Sequence, residues 1–134
     1  MNIIEKINQI AKLYKKDGCS ENDIIEAEKK LGVTFSADYK EYVKEFGKIS
    51  FYGTELTGVN VPPRLDVVNV TLEERKLSSN FPKKGFYVIE NLGIDSKIAI
   101  SNEKGEVYIW TPSSMEKLCD SFSEYIDICI KRMN

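Results

Sequence analysis

Phe86-Tyr87-Val88-Ile89-Glu90, Lys97-Ile98-Ala99-Ile100 and Glu106-Val107-Tyr108-Ile109-Trp110 decide the fold. Each run is rich in β-branched and aromatic residues and is bounded by Asn, Gly, Asp or Ser, which is the pattern of a strand between turns. The link Ser101–Gly105 has the length of a hairpin loop, and short links join neighbouring strands antiparallel, so the three runs predict a meander. Alternate strand residues face opposite sides. Tyr87 and Tyr108 therefore divide between a buried and an open face, as does Tyr52 upstream, and Trp110 reads either as core or as a half-exposed binding anchor.

Working back towards the N-terminus, Ile49–Tyr52 and Leu56–Val61 are short β-prone runs separated by Gly53, and Pro62-Pro63 stops further pairing. Residues 66–78 carry two signals: Val67, Val68 and Val70 favour strand, whereas Leu72-Glu73-Glu74-Arg75-Lys76-Leu77 favours helix. The expectation is a short strand or turn leading into a helix. Three helices precede these runs. Ile3, Ile7, Ile10 and Tyr14 share one helical face, which predicts a helix over residues 2–16 broken by Asp17-Gly18. Ser20 caps a second, with Asp23 as a weaker capping-box acid, Ile24, Ala27 and Leu31 as its apolar stripe and Gly32 as its stop. A third starts near Ser36, buries Tyr39, Tyr42, Val43 and Phe46, and ends at Gly47.

After the meander, Ser121-Phe122-Ser123-Glu124 has the form of a full capping box, and Phe122, Ile126, Cys129 and Met133 share one face of a terminal helix. Helices, then sheet, then helix predicts an α+β fold, with helices packed against an antiparallel sheet. The 134 residues suit a single domain, 1–134.

Composition narrows the function. Nineteen basic against twenty-one acidic residues leave a net charge of −2, which argues against a direct nucleic-acid binder. Charges within the first six residues and the lack of any long apolar run predict a cytoplasmic protein with no membrane contact. Three cysteines, Cys19, Cys119 and Cys129, with no C-x-x-C pair suit reduced thiols.

Histidine is absent, which removes the usual general base, the usual partner of a Ser or Cys nucleophile and the commonest zinc ligand. No Walker loop, G-x-S-x-G elbow or dinucleotide fingerprint occurs either. Asp66 with Glu74-Arg75-Lys76 loosely mimics the Asp…Glu-x-Lys pattern of magnesium nucleases, although Glu73–Lys76 more simply forms a solvated helix face. The expectation is therefore no catalytic residue, metal or cofactor. Two acidic groups remain. Glu21, Asp23, Glu26 and Glu28 lie on the second helix, while Glu90, Asp95, Glu103 and Glu106 lie at or beside the meander turns, where binding groups commonly sit.

The order of residues resembles the SUKH superfamily, which includes bacterial immunity proteins of polymorphic toxin systems and fungal regulators of cell-wall synthesis. The resemblance rests on Ser20-Glu21-x-x-Ile24 with Glu28 and Leu31-Gly32, Asp38-Tyr39-Lys40-x-Tyr42, Phe46-Gly47 and Gly53-x-x-Leu56-x-Gly58. It continues through Thr71-x-x-x-Arg75, Phe86-Tyr87-Val88-Ile89-Glu90-Asn91-x-Gly93-x-Asp95, Gly105-x-Val107-Tyr108-x-Trp110 and Ser121-Phe122-x-x-Tyr125. Where relatives often begin the third helix with an apolar-Pro pair, this chain has Phe35-Ser36; Ser36 starts a helix by capping a free N–H instead.

That resemblance implies a sheet with helices against it, no catalytic residues and a protein partner. The leading expectation is an immunity protein that binds a cognate toxin, such as a nuclease, with acidic side chains meeting a basic surface. Glu55, Asp66, Glu90, Asp95 and Trp110 are the expected partner-binding residues. The alternative is a regulatory adaptor, for example of cell-wall synthesis.

Overall fold

In the computed structural model, which describes residues 2–132, the first helix is less than half its expected length. α1 spans Ile3–Asn8, capped by Asn2, whose side chain accepts from the Glu5 N–H. Ile3, Ile7 and Ile10 are buried as the periodicity requires, but Lys12 turns the backbone to φ 55° and Tyr14–Asp17 becomes β1. This strand pairs antiparallel with β2 (Phe46–Phe51), Tyr14 facing Ser50 and Lys15 facing Ile49. An isolated helix of this length is marginal in water, so pairing with a buried strand outweighs continuation of the helical period.

α2 (Glu21–Leu31) and α3 (Ala37–Glu45) lie where the caps place them. Ser20 and Asp23 form the complete reciprocal capping box, and Gly32 closes α2 in the left-handed conformation at φ 64°. α3 ends one residue early: Phe46 opens β2, and Gly47 lies within that strand instead of stopping the helix. Gly18, expected to break a helix through left-handed backbone, serves another need. A Cβ there would lie 1.8 Å from the Lys44 carbonyl oxygen, because the chain runs close enough to α3 for Cys19 N–H to bond Val43 O at 3.0 Å.

β2 turns through Tyr52-Gly53 into the two-residue β3 (Thr54–Glu55), giving a sheet of order β1-β2-β3. The expected strand over Leu56–Val61 is reduced to single bridges, Leu56 to Glu90 and Gly58 to Asp66. Residues 66–78 resolve as helix: Asp66 caps α4 (Val67–Leu77), and the β-branched residues at its start bury Val67 and Thr71. Tertiary contact overrides their strand preference.

The meander forms as β4 (Tyr87–Asn91), β5 (Ile98–Ser101) and β6 (Val107–Thr111), all antiparallel. A further strand, β7 (Ser114–Cys119), extends it to the order β4-β5-β6-β7. Its sequence gave no warning, because Ser-Met-Glu-Lys-Leu-Cys lacks both alternation and β-branched residues, and only Cys119 is buried. Backbone pairing with β6 alone makes it a strand. α5 (Phe122–Lys131) follows, with Ser121 Oγ accepting from Glu124 N–H as one half of a capping box; Met133 lies outside the described residues.

Both faces of the meander are covered. Tyr87, Ile89, Ala99 and Val107 join the principal core with α1, α2, α3 and α5. Val88, Ile98, Ile100 and Trp110 point the other way, under Phe81 and with Val70 and Phe86 packed alongside. The principal core is knit by tyrosines. Tyr39 OH lies 2.8 Å from Thr57 Oγ1, Tyr42 OH donates to Thr57 O at 2.7 Å, and Thr57 Oγ1 donates to Val88 O at 2.9 Å. These bonds tie α3 to β4 through a segment with little regular structure of its own, satisfying polar groups that burial would otherwise penalise.

Candidate binding face

The five residues expected to meet a partner do not share a surface. Glu90 is 3 % exposed, with Tyr125 OH and Arg132 Nη2 donating to its carboxylate, the latter at 2.9 and 3.2 Å. Burial and the adjacent Glu90 charge push the Tyr125 phenol well above its ordinary pKa. Trp110 is likewise 3 % exposed and meets Phe81 edge-on, with ring centroids 5.1 Å apart. Both side chains are part of the interior, Glu90 beneath α5 and Trp110 on the second covered face of the sheet.

Asp66 is occupied locally: its carboxylate accepts from Val68 N–H at 2.9 Å and from Asn60 N–H at 3.2 Å, holding the start of α4. Asp95 is exposed in the β4–β5 loop with φ 53°. Glu55 lies on the three-stranded sheet and is held by two parallel bonds from Arg64, each 2.8 Å. The Arg64 hydrogen bonds hold the Glu55 carboxyl below the usual carboxylate range.

The acidic group on α2 is also largely engaged within the chain. Glu21 pairs with Lys44 at 2.7 Å, Asp23 completes the capping box, and Glu28 accepts from Phe35 N–H while lying 3.6 Å from Lys40. At the meander, Glu106 pairs with Lys117 at 3.1 Å. The loose nuclease pattern comes apart as well. Asp66 caps α4 and Glu74 lies eight residues further along it, about 12 Å down its axis, too far to share a metal ion. Among the described residues no group of three or more His, Cys, Asp or Glu side chains is placed to hold one.

What the structure brings together is the outer face of the three-stranded sheet. Tyr14, Ser50 and Glu55 lie side by side across β1, β2 and β3, while Ile49 and Phe51 point inward to the core. Tyr14 is 54 % and Tyr52 55 % exposed. Lys48 lays its stem along this face with its ammonium 5.2 Å from the Tyr14 ring centroid, and Lys12 stands 5.8 Å from that of Tyr52. Lys12, Tyr14, Ser50, Tyr52 and Glu55 border an open depression of about 400 Å³. Of the five expected residues, only Glu55 belongs to it. The tyrosines and lysines were hidden because Tyr14 fitted a helical stripe, and that stripe ended in a strand.

A family model described as SMI1-KNR4 cell-wall matches residues 1–131. The chain belongs to the SUKH superfamily. A search of curated proteins finds no match to it. The motifs that signal SUKH membership are mostly architectural in this chain: Tyr39, Tyr42, Glu90 and Tyr125 are buried, the first two hydrogen-bonded to Thr57 and the last two to each other, and Gly58 lies against the Gly47 carbonyl. SUKH membership fits immunity or regulatory roles carried out through protein–protein interaction. No helix among the described residues is long and apolar enough to cross a membrane.

Proposed function

We propose that this SUKH domain is a non-catalytic immunity protein that binds and neutralises a cognate toxin. The observation that carries the reading is the outer face of the three-stranded sheet, where the exposed rings of Tyr14 and Tyr52 stand beside the ammonium groups of Lys12 and Lys48. Aromatic residues ringed by polar groups are typical anchors of protein interfaces. The acidic side chains first expected at the contact are mostly engaged in caps and internal ion pairs, so they lend the reading less support than this face does.

Co-expression with the proteins encoded beside its gene tests the proposal. A cognate toxin should co-purify with the domain and lose its toxicity in cells that express it. Failure to bind or protect against any neighbouring toxin would refute the immunity role. The second reading is a regulatory adaptor for cell-wall synthesis, favoured by the cell-wall description of the matching family. It predicts capture of cellular synthesis components and no dependence on a toxin gene.

A further inference from the structure

The hairpin joining β2 to β3 turns on two residues, Tyr52 at φ 43° and Gly53 at φ 81°. Positive φ at both positions of a two-residue link is the type I′ arrangement. Asn, Asp or Gly normally takes its first place, because a Cβ crowds the following carbonyl oxygen there and only Gly lacks one, while Asn and Asp offset it with local hydrogen bonds. Tyr52 brings no packing in exchange: it belongs to neither hydrophobic cluster, and its ring meets the ammonium of Lys12, itself left-handed. Two unfavourable backbone positions thus present a ring and a cation together on an open face. Strained backbone of this kind clusters at functional positions, which directs attention to this face.

The neighbours define what that position meets. Lys48 is only 8 % exposed, yet among the described residues neither it nor Lys12 enters an ion pair. The carboxylate beside them, Glu55, is already held by Arg64, whose own side chain is 68 % exposed. The face therefore carries surplus positive charge interleaved with two exposed phenol rings, and β1 next to it is the edge of its sheet.

We propose that this face binds an acidic, extended segment of a partner protein, laid along the free edge of β1. Its carboxylates would meet Lys12 and Lys48, and its intervening side chains would rest on Tyr14 and Tyr52. Edge-strand addition supplies backbone hydrogen bonds, while the lysines select the charge of the incoming strand. The inference deepens the binding role proposed above and rests on that role being protein recognition.

The test is an NMR titration of isotopically labelled protein with a short synthetic peptide of alternating glutamate and threonine. A lysine-for-glutamate peptide and a thymidine oligonucleotide serve as competing probes. The acidic peptide alone should shift the amides of Tyr14, Lys48 and Tyr52, and added salt should weaken it. Tyr52→Asn should weaken binding by about tenfold or more with Tm equal to or above the parent value, since asparagine suits the turn. Lys12→Glu should also weaken it. Equal or stronger binding of the basic peptide or the oligonucleotide at this face, or unchanged affinity in Tyr52→Asn, overturns the inference. The two proposals fail separately. Acidic-peptide binding without capture of any toxin sinks the immunity role alone, whereas toxin capture undiminished by Tyr52→Asn sinks this one alone.

Discussion

Arg132 Nη2 donates to both carboxylate oxygens of Glu90, at 2.9 and 3.2 Å, and so locks the end of α5 onto β4 across 42 residues of sequence. The same nitrogen lies 3.1 Å from Thr54 Oγ1, which brings β3 into the junction. Arg132 reaches in from the surface to a buried carboxylate, and removing it leaves the Glu90 charge uncompensated, so Arg132→Ala should destabilise the fold by about 3 kcal/mol. Urea unfolding measures it. Glu90→Gln, which removes the charge and keeps an acceptor for Tyr125, should cost less than Arg132→Ala.

The Glu55–Arg64 pair offers the contrast. Its geometry is two-pronged, but both side chains face water. Exposed pairs contribute little, so Arg64→Ala should leave stability close to that of the parent in urea unfolding. A loss as large as that of Arg132→Ala would show that exposure is a poor guide here.

Alkaline pH should unfold the protein. Burial raises the phenols of Tyr39, Tyr42 and Tyr125, and burial followed by the Glu90 charge raises the Cys129 thiol to about 12. An unfolded chain releases these protons at ordinary values, before the folded chain does. Stability is therefore complete below pH 9 and falls as pH rises past the ordinary cysteine and tyrosine values of 9.0 and 10.0. Each group contributes up to about 1.4 kcal/mol per pH unit in that window. Tm against pH should decline steeply above that point, and phenolate absorbance from the buried tyrosines should rise together with unfolding and not before it.

Gly58 should tolerate no side chain. An added Cβ would lie 1.6 Å from the Gly47 carbonyl oxygen, a backbone atom that cannot swing aside. Gly58→Ala should cost about 3 kcal/mol or more, or prevent folding. Soluble yield and thermal unfolding report the outcome.

Trp110, the sole tryptophan, reports on the second core. Its emission should be blue-shifted in the folded state. Phe81→Ala should shift it to the red and lower stability by about 3–5 kcal/mol, since Phe81 is the lid over that ring. An unchanged spectrum would contradict this packing.

The sequence was legible wherever a local rule and the tertiary environment agreed. Ser20, Ser36 and Ser121 cap helices through their own side chains, and the β-branched runs of β4, β5 and β6 could hardly be anything but strands. Misreadings fell where long-range pairing decided. Tyr14 completes a helical stripe yet becomes an edge-strand residue because β2 offers it hydrogen bonds. Ser114–Cys119 has no strand signature and is a strand only because β6 lies beside it.

By itself, then, the chain determined the helices that Ser20, Ser36 and Ser121 cap, its meander, its family and its freedom from histidine chemistry, all of which depend on residue type and near neighbours. Only the tertiary structure decided which side chains are left facing water. Glu90 and Trp110 look like ligands of a partner until α5 and Phe81 cover them, while Tyr14 looks like part of a buried helical stripe and Tyr52 fits either face until the outer face of their sheet is seen to be open. Exposure depends on what folds against a residue from far along the chain, and no local pattern carries that information.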